Sequence, residues 1–174
     1  MIWPLISPIL SKILIKNKEV SKKIRTSVPM KHEKTLNIIS NFTIILAFIY
    51  SIFLPIKIDT IYFYIGLTIF TLGLIIDLSV IYTLRKTNLD KPFTNGIYKY
   101  SRHPIYISII LIITSITIMS LSLVFTIILI ILTIHMLLAA PAEEKYCIKK
   151  YGKIYKDYQK NTPRWMGIPK KIKN

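Results

Sequence analysis

Two short polar stretches hold most of the groups in this sequence that could take part in chemistry. The first reads Thr94-Asn-Gly-Ile-Tyr-Lys-Tyr-Ser-Arg-His-Pro-Ile-Tyr106. Pro104 suits the first turn of a helix, where its missing N–H costs nothing, so Arg102 and His103 fall at a helix N-terminus. A helix start offers free N–H groups and partial positive charge to a carboxylate or phosphate. Arg102 adds a two-pronged carboxylate binder. The same residues also read as interfacial polar groups at a helix end, with Tyr98, Tyr100 and Tyr106 as an aromatic belt.

The second stretch runs from Pro141 to Trp165. Its Glu143 and Glu144 are two of only eight acidic residues in the chain, and they stand in basic surroundings. Either they form structural ion pairs with Arg102 or a nearby lysine, or they accept hydrogen bonds from a ligand's amino group or ribose hydroxyls. Tyr151, Tyr155 and Tyr158 recur at spacings of four and three, which puts them on one face of a short amphipathic helix, most simply a packing face. Thr162-Pro163-Arg164-Trp165 then makes a rigid, aromatic, cationic corner. No His, Cys or carboxylate pair has metal-ligand spacing, so no metal is expected. The single cysteine, Cys147, excludes an internal disulfide framework.

The elements that must position these stretches are apolar. Of 174 residues, 52% are hydrophobic and 18% charged, which is not the balance of a soluble enzyme. Thr35–Pro55 has 21 residues without a charge, enough at about 1.5 Å each to cross a hydrocarbon core of about 30 Å. Residues 59–84 are apolar apart from Asp77. Pro104–Ala140 is too long for one crossing, at about 55 Å as a straight helix. Splitting it near Ser120–Ser122 gives arms over 104–120 and 122–140, joined as a helical hairpin. The expected fold is all-α and polytopic, with four transmembrane helices and a polar cofactor lobe. The stretch 2–15, carrying Pro4, Pro8 and Lys12, reads as an interfacial helix with Trp3 at headgroup depth; a fifth span would require it to cross. The domain division is then 1–34, an interfacial segment and basic linker, and 35–174, the membrane domain with its tail from 141.

Orientation follows from counting. Residues 16–34, 85–103 and 141–174 hold 22 of the 24 Lys and Arg residues, and four spans place all three segments on one face. Short cytoplasmic loops are enriched in Lys and Arg, so that face, with both termini, is expected in the cytoplasm. The net charge of +16 is thereby explained by topology and by anionic lipid headgroups, which leaves nucleic acid without a role. If the hairpin arms are antiparallel, Arg102 and His103 must come near Glu143 and Glu144. The result is a site with a polar lobe in the cytoplasm and an apolar lobe open to the bilayer. Asp77 and His135, ionisable residues inside spans, are further candidates to line it.

The two polar stretches together resemble the isoprenylcysteine carboxyl methyltransferase and phospholipid methyltransferase superfamily of integral membrane enzymes. The resemblance rests on Gly96, Tyr98, Arg102-His103-Pro104, Tyr106, Glu143-Glu144, Tyr151-Gly152, Tyr155, Tyr158 and Pro163-Arg164-Trp165, in order around a hairpin. It covers about residues 94–165. It implies methyl transfer from S-adenosylmethionine to a membrane lipid or lipidated acceptor, isoprenylcysteine carboxylate O-methylation first among the choices. Carried over by position, Tyr98, His103, Tyr106, Glu143 and Glu144 hold the cofactor, and Arg102 either holds its carboxylate or fixes the fold of the loop. Arg164 and Trp165 hold the acceptor, and Glu144 or Asp77 takes a proton if the acceptor is an amine. Ethanolamine headgroups and small thiols remain open as acceptors. Ser108 departs from the pattern, since relatives often carry glycine there. An NADPH-dependent sterol-type reductase and a non-enzymatic lipid-binding protein are the alternatives. The heavy use of Ile, Lys and Asn fits a biased prokaryotic genome, and hence a plasma membrane.

Overall fold

The computed structural model describes residues 42–43, 45–47, 49–50, 53–54, 58–86 and 91–169. The interfacial helix and basic linker expected over 1–34 lie outside the described residues, as does much of the span expected over 35–55. Every regular element among the described residues is helical. In chain order these are α1 (Ile61–Lys86), a 3-10 turn (Gly96–Lys99), α2 (Pro104–Ser120), α3 (Leu123–Tyr151) and α4 (Lys153–Asn161). Residues 42, 43, 45–47, 49 and 50 are helical as well, within the first expected span.

Two helices, over Ile61–Leu84 and Leu123–Tyr151, are long and apolar enough to cross a membrane. Helix α2, with 17 residues, is about 26 Å long. Large apolar side chains such as Ile65, Leu72, Leu78, Ile127, Ile134 and Leu138 stand exposed along α1 and α3. Water would not tolerate such a surface, whereas lipid requires it. Over its described residues the protein is an all-helical membrane protein.

The hairpin turn falls where the sequence placed it. Leu121 adopts a left-handed conformation (φ 51°) and its N–H bonds to the Thr117 carbonyl, closing α2. Ser122 opens α3, its Oγ accepting from the Phe125 N–H at 3.4 Å. Two residues therefore reverse the chain, with a hydroxyl supplying the cap that a helix start needs. Tyr50 reaches this turn, its hydroxyl 3.5 Å from Ser122 Oγ and its ring 5.8 Å from that of Phe125. A core of Ala47, Tyr106, Ile109, Phe125, Ile128, Leu132, Met136 and Ala140 packs the described residues around 47–54 against the hairpin.

Contact between α1 and α2 is close because both helices present small residues. A Cβ on Gly66 would lie 2.9 Å from the Ser115 carbonyl oxygen, and one on Gly73 would lie 3.3 Å from that of Ser108. Ser108 and Ser115 are fully buried and turn their hydroxyls back to their own helix, onto the Ile105 and Ile112 carbonyls at 2.8 and 2.6 Å. Small residues with self-satisfied hydroxyls let backbones approach in a setting where no water drives them together.

The sequence ends the last span at 140, but α3 continues through Pro141 to Tyr151. Proline removes one hydrogen bond from a helix interior, and the Ala-Glu-Glu-Lys run that follows is made of good helix formers. Glu143 and Glu144 accordingly ride on the same rod as the core residues Leu132 and Met136.

Candidate functional site

At the end of the hairpin away from Leu121, three segments meet around one carboxylate. Arg102 and His103 come from the loop before α2, Glu143 and Glu144 from α3, and Gln159 and Arg164 from α4 and the segment after it. Arg164 grips Glu144 with two prongs, Nε to Oε1 and Nη2 to Oε2, both at 2.9 Å. Gln159 Nε2 donates to Oε2 at 3.0 Å, and His103 Nε2 lies 3.2 Å from Oε1. Arg102 Nη1 approaches Oε1 at 3.0 Å. That approach is an ion pair without hydrogen-bond alignment: among the described residues Arg102 Nε and Nη1 are buried with no acceptor. The Glu144 side chain is only 3% exposed, so its charge is balanced by neighbours rather than by water.

Glu143 is the more open of the pair. It accepts from the Tyr106 hydroxyl at 2.7 Å and lies 3.5 Å from His103 Nδ1. Both His103 ring nitrogens thus face carboxylates, and only an imidazolium can donate to two at once. Burial opposes that charge, yet hydrogen bonds and charge from Glu143 and Glu144 outweigh it and raise the His103 pKa above its usual value. The Tyr106 ring stacks on His103 at 5.3 Å, and Trp165 closes from another side at 6.1 Å.

The residues 162–168 form a strap fastened to the Arg-His-Pro loop by backbone groups. Arg102 N donates to the Pro163 carbonyl at 3.1 Å and Gly167 N to the Tyr100 carbonyl at 2.9 Å. Ser101, fully buried, works in both directions: its Oγ donates to the Arg164 carbonyl at 3.2 Å and accepts from His103 N at 3.1 Å. The hydroxyl of Tyr158 on α4 donates to the Tyr98 carbonyl at 2.7 Å. Tyr155 is buried on the same face of α4, as the tyrosine spacing predicts.

Of the residues singled out in the sequence, Arg102, His103, Tyr106, Glu143, Glu144, Arg164 and Trp165 come together here. Tyr98 does not join them through its ring. It packs with Val80, Ile81 and Leu84 of α1, against Phe93 at 5.7 Å, and its carbonyl accepts from Tyr158. Asp77 lies deeper, on the α1 stripe that carries Gly66 and Gly73, with Ser108 Oγ 3.5 Å from its Oδ1. His135 is buried on α3, eight residues and about 12 Å of helix before Glu143. Sequence reasoning missed Ser101 and Gln159. Gln159 follows the buried Tyr155 by four, so the periodicity of α4 already put it on the inward face. Ser101 precedes His103 by two, the spacing at which a serine hydroxyl receives a backbone N–H.

Membrane-crossing helices and a polar cluster at the end of a helical hairpin define a membrane protein that joins a polar site to a lipid-facing one. Among known families, the sequence model of the phospholipid methyltransferases matches residues 61–154, more than half of the chain. The chain belongs to that family and is a membrane methyltransferase acting on lipid-type substrates. Comparison with curated proteins and with solved structures finds no match in either. The family match takes in α1 to the start of α4; Gln159, Arg164 and Trp165 lie beyond it.

Proposed function

We propose that this protein transfers a methyl group from S-adenosylmethionine to a lipid-borne acceptor at the surface of a prokaryotic plasma membrane. In this reading four spans carry the chain, and the site, the termini and the basic segments face the cytoplasm, against anionic lipid headgroups. The observation that carries it is the convergence of Arg102 and His103 with Glu143 and Glu144 at the start of α2, in a chain of this family. The residues fit the cofactor. Arg102 holds a buried, unaccepted Nε where an anionic group can dock, and Glu143 offers a half-open carboxylate for an amino group or hydroxyls. His103 and Tyr106 shape the wall between them, and Tyr98 supports the loop from behind.

S-adenosylmethionine, when bound, supplies a methyl on a cationic sulfur and needs no covalent help. The protein's share is positioning and exclusion of water. Glu144, gripped by two arginines and a histidine, is a poor proton acceptor because each neighbour favours its charged form. Its part in this reading is to hold Arg102, His103, Gln159 and Arg164 in register. Arg164, its side chain 38% exposed, can orient an anionic acceptor against Trp165, which favours a prenylated-cysteine carboxylate. A second reading, an amine headgroup, is favoured by the family's phospholipid substrates and by Asp77, the remaining carboxylate able to take the proton.

Calorimetric titration of the protein in nanodiscs with S-adenosylmethionine, and separately with NADPH, tests the class. Saturable binding of the first alone supports the proposal; binding of NADPH alone overturns it in favour of a reductase. The acceptor is tested with Asp77→Asn. Methylation of an amine should fall by about 10²–10⁴-fold with S-adenosylmethionine binding retained, whereas methylation of a carboxylate should be unchanged.

A further inference from the structure

The strap carries apolar side chains that stand exposed among the described residues. Ile168 is 91% exposed, Met166 49% and Tyr100, joined to the strap by the Gly167 N–H bond, 50%. They lie outside the spans, next to Arg164 and Trp165. Their depth follows from Glu144, which Arg164 grips. Glu144 is two residues past Ala142, the last residue of the uncharged run, so it stands about 3 Å beyond the apolar end of α3. A headgroup layer is about 5–8 Å deep on each side of the hydrocarbon. The strap therefore sits at headgroup depth rather than out in water. There a cationic arginine meets phosphate oxygens while Tyr, Met and Ile side chains find the acyl boundary.

We propose that residues 166–168 and Tyr100 form a collar that dips into the headgroup–acyl boundary of the bilayer this protein spans, and so make the lipid-side rim of the site. The occupant of this surface is the bilayer itself, argued from its continuity with the spans and from the pairing of Arg164 with exposed apolar neighbours. The inference rests on α3 crossing the membrane and not on methyl transfer, so it is tested without cosubstrate.

The chain has two tryptophans, Trp3 and Trp165. In a variant with Trp3→Phe, Trp165→Phe and Ile168→Trp, reconstituted into phosphatidylcholine vesicles, the single indole should emit blue-shifted. It should be quenched most by lipid brominated near the headgroup end of the acyl chain and less by lipid brominated deeper. Red-shifted emission with no quenching by any brominated lipid would overturn the collar. A second measurement does not depend on replacing Trp165. A nitroxide on Ile168→Cys, in a Cys147→Ala background, should collide more often with oxygen than with a water-soluble nickel chelate. The reverse preference would equally overturn it.

Discussion

The two places where acidic side chains meet α2 are built on opposite plans. At its start, Glu144 is saturated: two arginines, a histidine and a glutamine share its oxygens, and water is excluded. One turn further into α2, Asp77 has a single long hydrogen bond among the described residues, from a serine whose hydroxyl is already committed to the Ile105 carbonyl. The first arrangement resists change because each donor depends on the same acceptor. The second holds a carboxylate in reserve, with lone pairs left over. The proposed function, in which Glu144 holds the fold and Asp77 meets a substrate, calls for such a difference.

That contrast can be broken or sharpened by substitution. Glu144→Leu should have the largest effect, because it strands two buried or half-buried guanidinium groups and an imidazolium. A loss of about 3–5 kcal/mol is expected, read as a drop in thermal unfolding midpoint in detergent or nanodiscs. Gly66→Ala should cost about 1–3 kcal/mol, since its Cβ would meet both the Met119 side chain and the Ser115 carbonyl. Adding Met119→Ala should recover part of that loss but not all, because the carbonyl cannot retreat. Asp77→Asn should change stability by less than about 1 kcal/mol, since an amide can still accept from Ser108. Equal losses from Asp77→Asn and Glu144→Gln would erase the distinction between the two carboxylates.

The smallest effect is one of pH. His103 has a raised pKa in the folded protein, through hydrogen bonds and charge from Glu143 and Glu144 acting against burial. Its stabilising contribution is fully present below the usual histidine value of 6.5 and is lost as pH rises through the higher folded value. The unfolding midpoint of the native protein should therefore fall over that window. The midpoint of His103→Gln should fall less.

Much of this was legible in the residues. The hairpin break at Ser120–Ser122 could be placed because 37 uncharged residues exceed any bilayer, and the meeting of Arg102 with Glu144 follows once the arms are antiparallel. Where α3 ends was not legible. The uncharged run suggests an end near 140, and the grip on Glu144 joins the helix-forming Ala-Glu-Glu-Lys run in carrying the helix through Pro141. The full partner set of Glu144 was hidden for a similar reason. The periodicity of α4 turns Gln159 inward without saying what it meets, and Ser101 acts through a backbone contact that no spacing with Arg164 announces. Tyr98, prominent in the motif, packs on α1, which its place in the loop did not announce.

Glu144 also imposes an order of events. Its partners sit at positions 102–103 and 159–164, so the spans are synthesised, and can enter the membrane, before the last of them exists. Synthesis proceeds from the N-terminus, and folding units form in that order. Until residue 159 emerges, the hairpin carries a carboxylate with only half its partners, and until residue 164 it lacks the two-pronged arginine. Completion of the site thus reports completion of the strap. A chain interrupted after Asn161 would lodge in the bilayer and yet remain open to proteases at its polar end.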